Sequence, residues 1–219
     1  MRPEPAKLYL DLIKKTLSFS LWPEPPIPIT LFNETRSPVK RAAVTMLSRA
    51  LAWRDLEIVK RRNVTDHQRA NGQFWPLYAD TMVGMKRLDQ LQSAVETVLA
   101  EGVEGDFIET GVWRGGACIF MRAALAAYGV EDRRVFVADS FAGLPEPEPQ
   151  ACPADRDSLF HRIPYLAVSR EDVERNFAKY GLLDERVVFL QGWFKDTLPS
   201  APVGKLAILR LDGDMYGST

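Results

Sequence analysis

The sequence predicts an α/β fold, a doubly wound and mostly parallel sheet with a helical N-terminal extension, and three observations carry the prediction. Four short apolar runs, at 106–109, 134–138, 187–190 and 206–211, have the length and residue types of buried strands. Stretches of helical periodicity lie among them, as the crossovers of a parallel sheet require. With 46% hydrophobic and 26% charged residues, the 219-residue chain has the composition of a folded domain and not of a disordered tail, a fibre or a disulfide mini-scaffold. Twenty-eight Lys and Arg against 29 Asp and Glu leave a net charge of −1, so no global basic excess draws the chain to nucleic acid or an anionic membrane.

Residues 1–35 begin with an amphipathic stretch (Leu8, Leu12, Ile13, Leu17) and continue through Pro23, Pro25, Pro26 and Pro28, a density that neither helix nor central strand accepts. This zone is expected to be a strap or leader outside the core. Residues 36–69 read as helical and basic, with nine Lys or Arg against Asp55, Glu57 and Asp66 for a net +6; a solvated helical face is the expected role, and aromatic interleaving of the kind that binds nucleic acid is limited to Trp53. Leu88, Leu91, Val95, Val98 and Leu99 predict a helix over about 85–100, closed by Gly102 and Gly105. After the first strand comes a glycine-rich turn and a helix over 117–128. Pro145, Pro147 and Pro149 mark a loop after the second strand. Ser169 with Asp172 three residues on is a helix N-cap signal, Val173, Phe177 and Tyr180 form the inward stripe, and Gly181 is the C-cap. If the order is doubly wound, the fourth strand lies beside the first. The sequence stops at Thr219 just beyond it, where a central strand would be left without its flank, and the expectation is a chain truncated at its C-terminus.

Sheets of this kind bind ligands at the carboxyl ends of their strands. The first strand runs into Glu109-Thr-Gly-Val-Trp-Arg-Gly-Gly116, which has neither the G-x-G-x-x-G spacing of a dinucleotide fold nor the Lys-Ser/Thr of a P-loop. An acid at its head repels phosphate and suits a cationic ligand. The second strand ends at Asp139-Ser140, where a carboxylate can accept both hydroxyls of a ribose. Gln191-Gly-Trp-Phe194 follows the third, with an aromatic able to flank a flat base or to pack in the core. Leu211-Asp-Gly-Asp-Met-Tyr216 follows the fourth, offering paired carboxylates to a hard cation or as general base. His67 and His161 stand in no metal or triad spacing, and neither do Cys118 and Cys152; free thiols and the charged N-terminus (Arg2, Glu4, Lys7, Asp11, Lys14, Lys15) point to a cytoplasmic protein.

Taken with Tyr78-Ala-Asp-Thr-Met82, Ala138-Asp-Ser-Phe-Ala-Gly-Leu-Pro145 and Tyr180-Gly-Leu-Leu183, these strand-end motifs resemble the macrocin O-methyltransferase family over about residues 73–219. The resemblance implies the Rossmann-like sheet of class I methyltransferases over 73–219; residues 1–72, outside it, are expected to be a leader and helical extension. It implies an S-adenosylmethionine- and Mg²⁺-dependent O-methyltransferase acting on a hydroxyl of a sugar-bearing small molecule. The charge balance and the lack of a long apolar run point to neither nucleic acid nor membrane as partner, and the basic helix and Pro-rich leader could pack on a neighbouring subunit of a homo-oligomer. Residue by residue, Glu109, Thr110, Gly111, Val112, Trp113 and Gly115 would line the methionine and ribose side of the cofactor. Asp139 would hold the ribose hydroxyls, and Ser140, Gly192 and Trp193 would border the adenine. Thr81 and Met82 would close over the cofactor. Asp212 would contact the cofactor, ligate Mg²⁺ and act as general base. The competing readings are a non-catalytic nucleotide-binding fragment and an NAD-type oxidoreductase.

Overall fold

The computed structural model describes residues 4–29 and 38–218. Residues 1–3 and 30–35 of the N-terminal zone, Arg36 of the basic zone and Thr219 lie outside the described residues. The chain forms helix α1 (Pro5–Leu17), strand β1 (Ile27–Pro28), α2 (Pro38–Ala52), β2 (Val59–Lys60), α3 (Asp66–Asn71), α4 (Met85–Ala100), β3 (Asp106–Thr110), α5 (Gly116–Ala127), β4 (Val135–Asp139), α6 (Arg170–Lys179), β5 (Val187–Gln191), α7 (Phe194–Thr197) and β6 (Leu206–Leu211). The main sheet has the order β5-β4-β3-β6, all parallel. The fourth predicted strand thus lies beside the first, as doubly wound topology requires. β3 is buried along its whole length. A register shift between Asp106 and Phe107 places Leu206 and Ile208 opposite consecutive residues of β3.

The predicted helix over 85–100 is α4, with Leu88, Leu91 and Val95 as its buried stripe. Three strands extend one residue further than their apolar runs. The ladder continues through Thr110, Asp139 and Gln191 and is prolonged by Gly111 N–H to Ala138 O, Asp212 N–H to Thr110 O and Gly192 N–H to Asp139 O. Asp139 is therefore the last strand residue, rigidly held, and not the first of a loop. Ser169 caps α6, accepting from Asp172 N–H, and Gly181 follows in the left-handed region at φ +66°.

The largest departure from the expected pattern is α1. Leu10, Ile13 and Leu17, spaced three and four apart, are buried in the same cluster as Leu88, Val95 and the side chains of α5. Residues 5–17 are a core helix and not an outlying leader; Pro5 opens it at the first turn, where proline is tolerated, and the run Pro23, Pro25, Pro26 and Pro28 follows its end. The basic zone is helical in two pieces, α2 and α3, separated by β2, and among its described side chains α2 carries no buried one while exposing Val39, Met46 and Leu47. Among the described residues no helix is long and apolar enough to cross a membrane.

Candidate functional site

The carboxyl ends of β3, β4, β5 and β6 open into one cavity of about 550 Å³, within the range of small-molecule sites. Its wall contains Met82, Gly111, Trp113, Asp139, Ser140, Trp193 and Asp212, seven of the residues expected at the site. The turns that make this wall are strained. Trp113 (φ +49°), Phe141 (φ +54°) and Asp214 (φ +59°) are non-glycine residues in the left-handed region, and each stands shortly after a strand of the sheet. Gly111, at φ +82°, has a further reason to be glycine: a Cβ there would lie 2.1 Å from the Asp212 carbonyl oxygen, so the first turn and the end of β6 could not approach.

Asp139 is fixed at both oxygens. One accepts Val112 N–H at 2.8 Å and the other Phe141 N–H at 2.8 Å. A carboxylate has further lone pairs, so this one is pre-oriented to accept hydroxyls from the cavity. Among the described residues six carboxylates line the wall (Asp139, Glu146, Glu148, Asp155, Asp212 and Asp214) against the one cation Lys195. Such a lining favours a cationic ligand and repels phosphate.

The structure does not bring every expected residue to the wall. Glu109 is buried behind it, where it accepts from Arg210 and lies 3.0 Å from the Cys118 thiol. Burial, partly opposed by Arg210, pushes its carboxyl up to about 7. Cys118 is raised further by the same burial beside Glu109, which makes it an inert core thiol. Thr110 and Thr81 are buried supports, with Thr81 Oγ1 accepting Val83 N–H. Val112, Gly115 and Gly192 likewise shape the turns from behind.

Asp212 accepts from Arg210 at 2.8 Å. Burial and the neighbouring Asp212 charge raise the Asp214 carboxyl. Among the described residues no group of three or more His, Cys, Asp or Glu is placed to hold a metal ion. A hard divalent cation takes about six oxygen ligands, so Asp212 and Asp214, one already paired with Arg210, do not by themselves make a Mg²⁺ site.

Beyond Leu144, which belongs to the Ala138–Pro145 motif, sequence patterns did not single out the outer wall. Leu144, Glu146, Glu148, Ala151, Cys152 and Asp155, all in the loop after β4, line the same cavity. Asp155 is buried and accepts Tyr216 N–H and Gly217 N–H, both at 2.8 Å, which staples this loop to the segment after β6. The proline triplet marked the loop but no local signal marked its destination.

Comparison with known proteins gives a consistent picture. A family model described as macrocin-O-methyltransferase (TylF) matches residues 6–219. The chain is 46% identical over 220 residues to the 8-demethyl-8-(2,3-dimethoxy-alpha-L-rhamnosyl)-tetracenomycin-C 4'-O-methyltransferase of Streptomyces olivaceus, covering 100% of this chain and 74% of that one. It is 43% identical over 216 residues to the mycinamicin III 3''-O-methyltransferase of Micromonospora griseorubida, covering 97% and 74%. With demethyldecarbamoylnovobiocin O-methyltransferase of Streptomyces niveus, identity is 55% over 152 residues, 69% of this chain and 58% of the relative. The solved structure of the O-methyltransferase NovP superposes with a TM-score of 0.79 at 43% identity, over 97% of this chain and 75% of NovP.

Proposed function

The chain belongs to the macrocin-O-methyltransferase (TylF) family, and from that premise we propose that its cavity binds S-adenosylmethionine and methylates a hydroxyl on the sugar of a glycosylated small molecule. The observation that carries this reading is the doubly pinned Asp139 at the tip of β4, facing an acidic cavity next to the Gly111 turn. When bound, S-adenosylmethionine supplies a methyl group on a positively charged sulfur, open to an oxygen nucleophile. The residues of the chain do the rest. Asp139 accepts the ribose hydroxyls, and Ser140 and Trp193 border the base. Gly111 and Trp113 bring main chain against the amino-acid portion, and the ring of carboxylates compensates the positive charge. Asp212, at the edge shared with the outer loop, receives the proton of the acceptor hydroxyl as its oxygen is alkylated. Arg210 holds the Asp212 carboxylate in place at 2.8 Å, and orientation of the two reactants supplies much of the rate. The outer wall, from Leu144 to Asp155, is the acceptor side, and its shape sets which glycoside fits.

Isothermal titration of the full chain with S-adenosylmethionine, S-adenosylhomocysteine and NAD tests the assignment. We expect both sulfur nucleosides to bind and NAD not to. Asp139→Asn, which keeps one acceptor oxygen, is expected to weaken S-adenosylhomocysteine binding by about tenfold or more, the value of one or two lost charge-assisted hydrogen bonds. An unchanged affinity in that variant would refute the ribose assignment; binding of NAD alone, or of none of the three, would refute the cofactor.

A further inference from the structure

Residues 75–82 run from the end of α3 toward α4 without helix or strand, and they end at Met82 in the cavity wall. Main-chain groups in such a segment need partners from elsewhere. Arg114 supplies two of them: its Nη1 donates to the carbonyl of Leu77 at 2.9 Å and to that of Ala79 at 2.8 Å. The same guanidinium lies 4.3 Å from the centre of the Trp113 ring and 5.4 Å from that of Tyr165. Trp113 in turn donates its indole N–H to Tyr165 O at 3.1 Å, the Tyr165 hydroxyl donates to Pro76 O, and Trp75 stacks on the Tyr165 ring at 5.6 Å with an interplanar angle of 6°. On the far side, Gly116 leaves room for the segment; a Cβ there would lie 2.4 Å from Asp80 O. One planar cation therefore ties together the turn after β3, the segment carrying Met82 and the loop in which Leu166, next to Tyr165, also lines the cavity.

We propose that Arg114 is a positioning residue for cofactor binding: it clamps residues 75–82 onto the β3–α5 turn, so that the Met82 wall is formed before the cofactor arrives. The proposal rests on reading this cavity as the S-adenosylmethionine site. The role calls for arginine because it combines stacking with donation to two carbonyls; a lysine offers a point charge on a flexible stem. Loss of the clamp makes the segment pay its ordering cost at the moment of binding, which lowers affinity without removing any group that touches the ligand.

The test uses the full chain and S-adenosylhomocysteine as probe, with titration calorimetry and hydrogen-exchange mass spectrometry of the 75–83 amides. In the parent these amides are protected without ligand and more so with it. Arg114→Met is expected to raise the dissociation constant at least tenfold and to speed ligand-free exchange of 75–83 at least tenfold, with exchange in β3 and β4 unchanged; Arg114→Lys does not restore either. Parent-like affinity and exchange in Arg114→Met overturn the clamp, as does a lower thermal midpoint with parent affinity in the folded protein, the mark of a purely structural residue. If Arg114→Met does not fold, Arg114→Lys carries the test, since it keeps the charge but loses the planar group that reaches both carbonyls, and parent-like affinity and exchange there also overturn the clamp. A parent that binds no S-adenosylhomocysteine overturns the cofactor reading itself, and the clamp with it.

Discussion

The two faces of the central sheet are built to different depths. On one, Phe107 of β3, Val135 and Val137 of β4 and Val187 of β5 pack beneath α1, α4 and α5 in a continuous cluster that contains Phe120, Met121, Leu88 and Leu10. On the other, the buried residues are Ile108, Phe136 and Ala138, flanked by partly buried Val188, Leu190, Phe194 and Leu198. β6 shows the same contrast within one strand: Ile208 is buried, while Leu209 and Leu211 are 56% and 52% exposed. The alternation of a strand sends successive residues to opposite faces, but how much each burial contributes depends on what covers that face. In the described residues, cohesion is concentrated on the helical side, and the cavity sits at the strand tips between the two.

The contrast can be broken at its strongest point with Phe120→Ala. This fully buried α5 ring lies in the deep cluster, and the substitution is expected to cost about 3–5 kcal/mol through lost transfer free energy and the cavity left behind, read as a fall in denaturant midpoint at constant slope. A smaller effect is expected at the lower edge of the same face. Arg122, buried on α5, forks onto Asp184, and the Arg122 hydrogen bond holds the Asp184 carboxyl below its ordinary range. Asp184→Asn leaves that guanidinium without its counter-charge and is expected to cost about 1–3 kcal/mol, less than for a sealed pair because Asp184 is partly exposed. The sign with pH follows from the lowered carboxyl: its stabilisation is complete above about pH 4 and is lost as pH falls through the folded value. The parent should therefore show a steeper acid limb in its stability curve than the asparagine variant, which keeps only the part due to other lowered carboxylates such as Glu96, with S-adenosylhomocysteine affinity at neutral pH the same in both. The smallest effect sharpens the comparison. Leu209→Ala, on the thin face, is expected to change stability by no more than about 0.5 kcal/mol.

What was readable in advance follows the same division between local and distant causes. Helix α4, the cap at Ser169 and the four parallel strands were legible because each depends on a few neighbouring residues. The depth of α1 was not, because its stripe of Leu10, Ile13 and Leu17 finds partners more than seventy residues further along, and the prolines that follow it dominate the local signal. At the site, Asp139, Gly111 and Trp193 could be placed because a strand end announces them. Glu109 looked equally prominent in sequence, yet its side chain turns inward to Arg210. Asp155 and Arg114 were passed over since their roles consist of bonds to main chain 61 and 37 residues away, about which side-chain identity says nothing.

The placement of α1 also bears on how the chain is made. Its apolar stripe leaves the ribosome when the helices that cover it are still untranslated; α5 ends about 110 residues later, an interval of roughly 5–20 s at ordinary rates of synthesis. For that time the nascent chain presents an unpaired greasy ridge, the sort of surface that chaperones hold. Expression hosts rich in such holdases, or slower translation delayed until after α5, should shift yield from inclusion bodies toward folded material, and vectors that trim the first seventeen residues should forfeit it.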